Sequence, residues 1–194
     1  MDSAYSFDLN KTGILRSPVE LRCGTLIIPL EENKVTVDYG AGTCHISYSL
    51  WRDSGLHELC FNEKKDFLKA VGIESIHKLT FKTLPLVPTM TRLGNGTEVP
   101  AYPFRVDKLT LGNPLNGITL ENITVRVLQS AESEFFIGLN VLRYLSVEYT
   151  PSIFHSIFNL SLKNDGLAYL EHDRFARKIN NLTSIFHSMQ DIRE

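Results

Sequence analysis

The sequence, 194 residues long, predicts a mainly β domain, a barrel or sandwich with helical trimmings. Two observations predict it. Apolar runs of strand length recur at short, regular spacing, several of them alternating apolar and polar residues as Ile118–Leu128 does. Turn signals such as Gly94-Asn95-Gly96 and Asn164-Asp165-Gly166 punctuate them, because Asn and Gly accept positive φ. A chain with 43% hydrophobic and 22% charged residues is ordinary for a globular protein and long enough to bury a sizeable core.

Taken in order, residues 1–18 read as an irregular N-terminal arm, and strand-like text begins at Val19. Gly24 to Leu30 is an apolar run, Glu31-Glu32-Asn33 a polar turn, and Lys34 to Val37 the return arm of a hairpin. Asp38-Tyr39-Gly40-Ala41-Gly42 interrupts, and Thr43 to Tyr48 resumes an extended pattern. A short helix from Leu50 to Leu56 ends at Gly55, and a second from Asn62 to Val71 has Asn62 as its N-cap. Leu79 to Arg92 is strand-like, broken by Pro85 and Pro88, and pairs across the Gly94 turn with Val99 to Leu111. Ile118–Leu128 is a strand whose alternation slips near Asn122. Phe135–Ile137 is a short buried strand, Gly138 to Tyr144 a brief helix, and Leu145 to Tyr149 a strand. Ile153 to Lys163 and Leu167 to Leu170 form the last hairpin. Asp173 then caps a C-terminal helix whose apolar positions run from Phe175 to Ile192 at helical spacing.

Several functional classes are disfavoured. A net charge of -2 gives no electrostatic reason to expect nucleic acid or an anionic membrane as partner. Cys23, Cys44 and Cys60 are an odd count without CxxC spacing, which argues against a disulfide framework and a zinc site; reduced, buried thiols are the simple reading. The N-terminus has neither basic nor apolar signal-peptide regions, and no apolar run approaches the ~18 residues of a membrane helix. The Asn-x-Ser/Thr triplets at Asn10, Asn95, Asn122, Asn159 and Asn181 read as turn and strand chemistry. The expected location is cytoplasmic, with no cofactor and no metal.

The segment that could carry chemistry is Asp38-Tyr39-Gly40-Ala41. It follows an apolar strand; Gly40 allows a sharp turn and close approach of a substrate, and Ala41 leaves room beside the carboxylate. Three parts together resemble the retropepsin-like aspartic proteases. Val35-Thr36-Val37 before Asp38-Tyr39-Gly40-Ala41 looks like the family's strand and Asp-Thr/Ser-Gly-Ala motif. The hairpin from Leu86 to Phe104, tipped by Leu93, Gly94, Asn95 and Gly96, looks like its substrate-binding flap. Phe136-Ile137-Gly138-Leu139-Asn140-Val141-Leu142 looks like the family's apolar-apolar-Gly segment before a helix, with Ile137, Gly138 and Asn140 as structural support.

The resemblance implies a retropepsin-like acid-protease half-barrel over residues 19–172, with a helical insert around Leu56–Ile76, followed by a C-terminal helix over 173–194. It implies an aspartic endopeptidase acting on peptide or protein substrates, with Asp38 catalytic. Because one domain supplies one aspartate, it also implies a homodimer. The alternative is a weak or inactive peptide-binding or scaffolding module on the same fold. Tyr39 departs from the small hydroxyl residue that the family holds across the dimer axis. Gly42 and Leu139 stand where retroviral members pair an Asp with an Arg, so both partners are missing together. A rival triplet, Asp53-Ser54-Gly55, lacks a preceding strand and a following small residue, and reads as an exposed carboxylate near a helix end. His45 lacks a second ligand and reads as a satisfied or solvent-facing histidine. Cys44 and His45, adjacent on a strand, face opposite ways and form no nucleophilic pair.

Overall fold

The structure is a computed structural model and describes residues 4–8, 16–38, 40–93, 96–112, 117–130, 132, 134–150 and 157–162. The expected helix over 173–194, the hairpin signal at Asn164 and the strand from Leu167 lie outside these residues.

The arm contains a strand, β1 (Ala4–Asp8), where an irregular segment was expected. Next, β2 (Val19–Cys23) and β3 (Leu26–Leu30) make a hairpin through Gly24-Thr25, with Gly24 at φ +57°. This corrects the expected hairpin between Gly24–Leu30 and Lys34–Val37. Glu32–Lys34 forms a 3-10 turn, and β4 (Val35–Val37) leaves it to pair elsewhere. After the Asp38 turn, β5 (Cys44–Ser47) leads into α1 (Tyr48–Asp53), α2 (Leu56–Glu63) and α3 (Lys65–Ala70). Ser47 caps α1 by accepting from the Leu50 amide at 3.2 Å. Gly55, in the left-handed region at φ +86°, ends that helix and starts α2. Asn62 therefore sits inside α2 rather than capping a helix of its own.

Residues from Ile76 to Thr83 form two 3-10 turns, and only β6 (Thr89–Arg92) is strand in the stretch read as extended from Leu79. β6 pairs antiparallel with the long β7 (Glu98–Leu111), and β7 with β8 (Ile118–Leu128). Then come β9 (Phe135–Ile137), α4 (Leu139–Leu142), β10 (Leu145–Thr150) and β11 (Ile157–Leu162).

The mainly β expectation holds. Eight strands form one sheet in the order β3-β2-β7-β8-β5-β9-β4, with β6 also on β7, and it curls into a half-barrel. A second sheet has the order β1-β11-β10. The core runs through the curl, where Leu21, Val35, Ile46, Leu109, Ile118, Val125 and Phe135 are wholly buried. The helical insert is held to it by an aromatic cluster in which Trp51 meets Tyr48, His57 and Phe104, and Phe81 meets Tyr102 edge-on with ring centroids 4.9 Å apart.

One feature of the topology positions the site. β4 and β5 are joined by only the Asp38 turn, yet they are not neighbours. β9 lies between them, parallel to β4 and antiparallel to β5. The turn must therefore pass over the end of β9.

Candidate active site

Asp38 stands at the end of β4, half-buried, with its amide donating to the Ile137 carbonyl at 3.0 Å. That bond extends the β4–β9 ladder by one residue. The Gly40 amide donates to Asp38 Oδ1 at 2.8 Å, and the Ala41 amide to the Asp38 carbonyl at 3.2 Å. The carboxylate is thus fixed by the backbone of its own turn. A Cβ on Gly40 would stand 3.1 Å from Oδ1, crowding that bond. Tyr39 lies outside the described residues.

Gly138 is the crossing point. Its backbone is extended, so the requirement is one of space rather than of φ. A Cβ there would lie 2.3 Å from the Thr43 carbonyl carbon and oxygen and 2.9 Å from the Ala41 oxygen, all backbone atoms that cannot swing aside. The Leu139 amide donates to the Ala41 carbonyl at 2.8 Å, stitching the far side of the turn to α4. Asn140 completes the brace: its Oδ1 accepts from the Cys44 amide at 2.7 Å, and its Nδ2 donates to the Thr124 carbonyl at 2.8 Å. Ile137 is fully buried beneath. The Ile137-Gly138-Asn140 segment and the Asp38-Gly40-Ala41 turn, set apart by about a hundred residues of sequence, are brought together.

The hairpin expected to act as a flap exists as β6 and β7, with Thr89 opposite Ala101 and Arg92 opposite Glu98. Leu93 accepts from the Gly96 amide at 2.9 Å and donates to the Thr97 carbonyl at 2.8 Å, closing the turn. Gly94 and Asn95, at its tip, lie outside the described residues.

Asp53 lies elsewhere. It ends α1 with an exposed side chain and accepts from Arg52 Nε at 3.0 Å. Cys44 points into the core, and burial pushes its thiol up to about 12, the value of an inert cysteine. Among the described residues no cluster of three or more His, Cys, Asp or Glu could hold a metal, and no helix is long and apolar enough to cross a membrane.

His45 and Arg126 belong to this neighbourhood; the sequence reading let His45 approach the site but preferred a satisfied or solvent-facing histidine, and it passed over Arg126. His45 is half-buried, with Nε2 3.3 Å from Thr43 Oγ1. Its pKa falls from the ordinary 6.5 to about 4; burial is the chief cause, Arg126 lowers it further, and Asp38 opposes them. The strand alternation that turns Cys44 inward was the available signal, because it turns His45 to the other face.

No protein-family model matches the chain, and no curated protein matches it. Among solved structures it is similar to a retropepsin-like aspartic protease from Rickettsia conorii, with a TM-score of 0.47 and 15% identity, covering 84% of this chain and 94% of that one. It is also similar to the retroviral protease-like domain of Ddi1 from Leishmania major, with a TM-score of 0.35 and 15% identity, covering 75% and 93%. At these values the likeness decides nothing about the chemistry.

Proposed function

We propose that the chain is an aspartic endopeptidase that works as a homodimer, hydrolysing peptide bonds with a water activated between two Asp38 carboxylates. The observation that carries this reading is the crossover itself. A half-buried carboxylate is oriented by the Gly40 amide, and the backbone of the turn that carries it is hydrogen-bonded to a segment about a hundred residues away, over a glycine whose replacement would drive backbone into backbone. So much restraint around one half-buried carboxylate suits a group whose position matters to chemistry.

Two such carboxylates in contact cannot both ionise readily, so a pair holds one proton between them. The ionised partner accepts a proton from water as the water attacks the peptide carbonyl. The protonated partner donates a hydrogen bond to the carbonyl oxygen, where charge develops. The β6–β7 hairpin closes over the peptide and excludes bulk water.

A second reading is a peptide-binding module without catalysis, favoured by Tyr39, whose phenol replaces the small hydroxyl of the motif it resembles. Cleavage of a degenerate peptide mixture between pH 3 and 7 separates the two. The enzyme reading expects products that vanish in Asp38→Asn and persist in Asp53→Asn, with both variants keeping the wild-type circular-dichroism spectrum. Wild-type protein that cleaves nothing, or Asp38→Asn that cleaves as well as wild type, overturns it in favour of the binding module.

A further inference from the structure

Three side chains from three strands gather on one side of the sheet, and one of them, His45, feels the charge of Asp38. His45 on β5 is the register partner of Arg126 on β8. Arg126 Nη1 donates to Thr91 Oγ1 at 2.8 Å, and Thr91, only 6% exposed, belongs to β6 of the hairpin. The guanidinium therefore spans the space between the hairpin and β5. Arg126 Nε is buried without a hydrogen-bond partner among the described residues. The ion pairs found among those residues are Arg52 with Asp53 and Lys108 with Glu121, and neither involves Arg126. His45 takes its proton only near pH 4, so at neutral pH the charge of this cluster is that of Arg126. A guanidinium offers paired donors in a fixed fork that matches a carboxylate, and Thr91 occupies one prong only.

We propose that Arg126, flanked by Thr91 and His45, forms a subsite for an acidic side chain of the bound peptide, so that the site selects Glu or Asp close to the bond lying over Asp38. The guanidinium keeps a donor edge beyond the prong given to Thr91, and an arriving carboxylate supplies an acceptor for it. A Lys side chain would meet like charge, and an apolar one would seal the guanidinium from water with its donor still unmade; both are rejected. The selectivity rests on the proposed function for where the peptide lies, but not on catalysis.

The test has two arms, both using a degenerate decapeptide mixture with acetylated and amidated ends, so that the only carboxylates are side chains. In the first, wild-type products are sequenced by mass spectrometry. Glu and Asp are expected to be enriched about tenfold at one position within two residues of the cut, the size of one charge-assisted pair. The enrichment disappears in Arg126→Gln and passes to Lys and Arg in Arg126→Glu. In the second, the mixture is captured on immobilised Asp38→Asn protein, where catalysis plays no part, and the same enrichment is expected, lost in Asp38→Asn/Arg126→Gln. Acidic capture without wild-type cleavage supports the subsite while ending the protease reading. Cleavage or capture indifferent to acidic residues, or an acidic preference that survives Arg126→Gln, overturns the subsite whatever becomes of the protease.

Discussion

A single missing methyl group, at Gly138, sets how closely the Asp38 turn can approach the strand beneath it. A Cβ there meets three backbone atoms within 3 Å, so neither side can yield without breaking a hydrogen bond of the Asp38 turn. Gly138→Ala should cost about 3 kcal/mol or more, readable as a lowered midpoint in urea, and should release the Leu139 amide to faster hydrogen exchange. His45 gives a second measurement. The unfolded chain takes the proton near 6.5 and the folded one near 4, so stability contributed by the neutral ring is intact above pH 6.5 and drains away as pH falls to 4. Ring-proton NMR should give a midpoint near 4, higher in Arg126→Leu, where a repelling charge is gone, and lower in Asp38→Asn. At this scale the turn at Asp38 and Gly40 was legible from residue type, whereas Gly138 was named only through the resemblance. Arg126 was not legible, because an arginine in a strand is ordinarily read as an exposed face, and only the position of β6 covers it.

At the scale of elements, β7 and β8 both change the side they bury at the same level. Buried positions run through Tyr102 and Val106 and then Leu109 and Leu111 on one strand, and through Leu120 and then Ile123 and Val125 on the other. The switch falls at Asn122, the one non-glycine residue with positive φ among those described, at φ +58°. Pairing keeps its register across it, from Val106 with Ile123 to Lys108 with Glu121. A left-handed residue thus lets both strands bend around the core. Asn122→Val should lose about 1–2 kcal/mol by thermal melting, since branched residues resist that conformation, while Asn122→Gly should lose little or gain. The slip in alternation was visible in the sequence; its cause was not. Of the three helices from Tyr48 to Ala70 the sequence reading had two, at Leu50–Leu56 and Asn62–Val71; Gly55 ends one helix and starts the next, and the middle one, Leu56–Glu63, was missed.

At the scale of the whole molecule, the proposed enzyme needs a second copy, and sedimentation at micromolar concentration should show a dimer. A monomer at every concentration would leave the mechanism without its second carboxylate. The sheet β1-β11-β10 draws together the two ends of the described chain, and among the described residues no strand pairs with the outer edges of β1 and β10. Strands could be read from periodicity, but partners could not: a pattern of alternation says which residues face inward, not which distant strand lies alongside. Hence β4 was assigned to a hairpin with its neighbour in sequence, when its true partner is β9, and Val35 lies opposite Phe135. That pairing has a consequence for the order of events in the cell. A ribosome delivers the Asp38 turn early, but the strand and glycine that shape it arrive only after Gly138 has been added, with the helical insert and the hairpin made in between. The nascent chain therefore holds an unformed Asp38 turn for most of its synthesis, and the proposed activity has to wait until β9 is made and takes its place between the two strands.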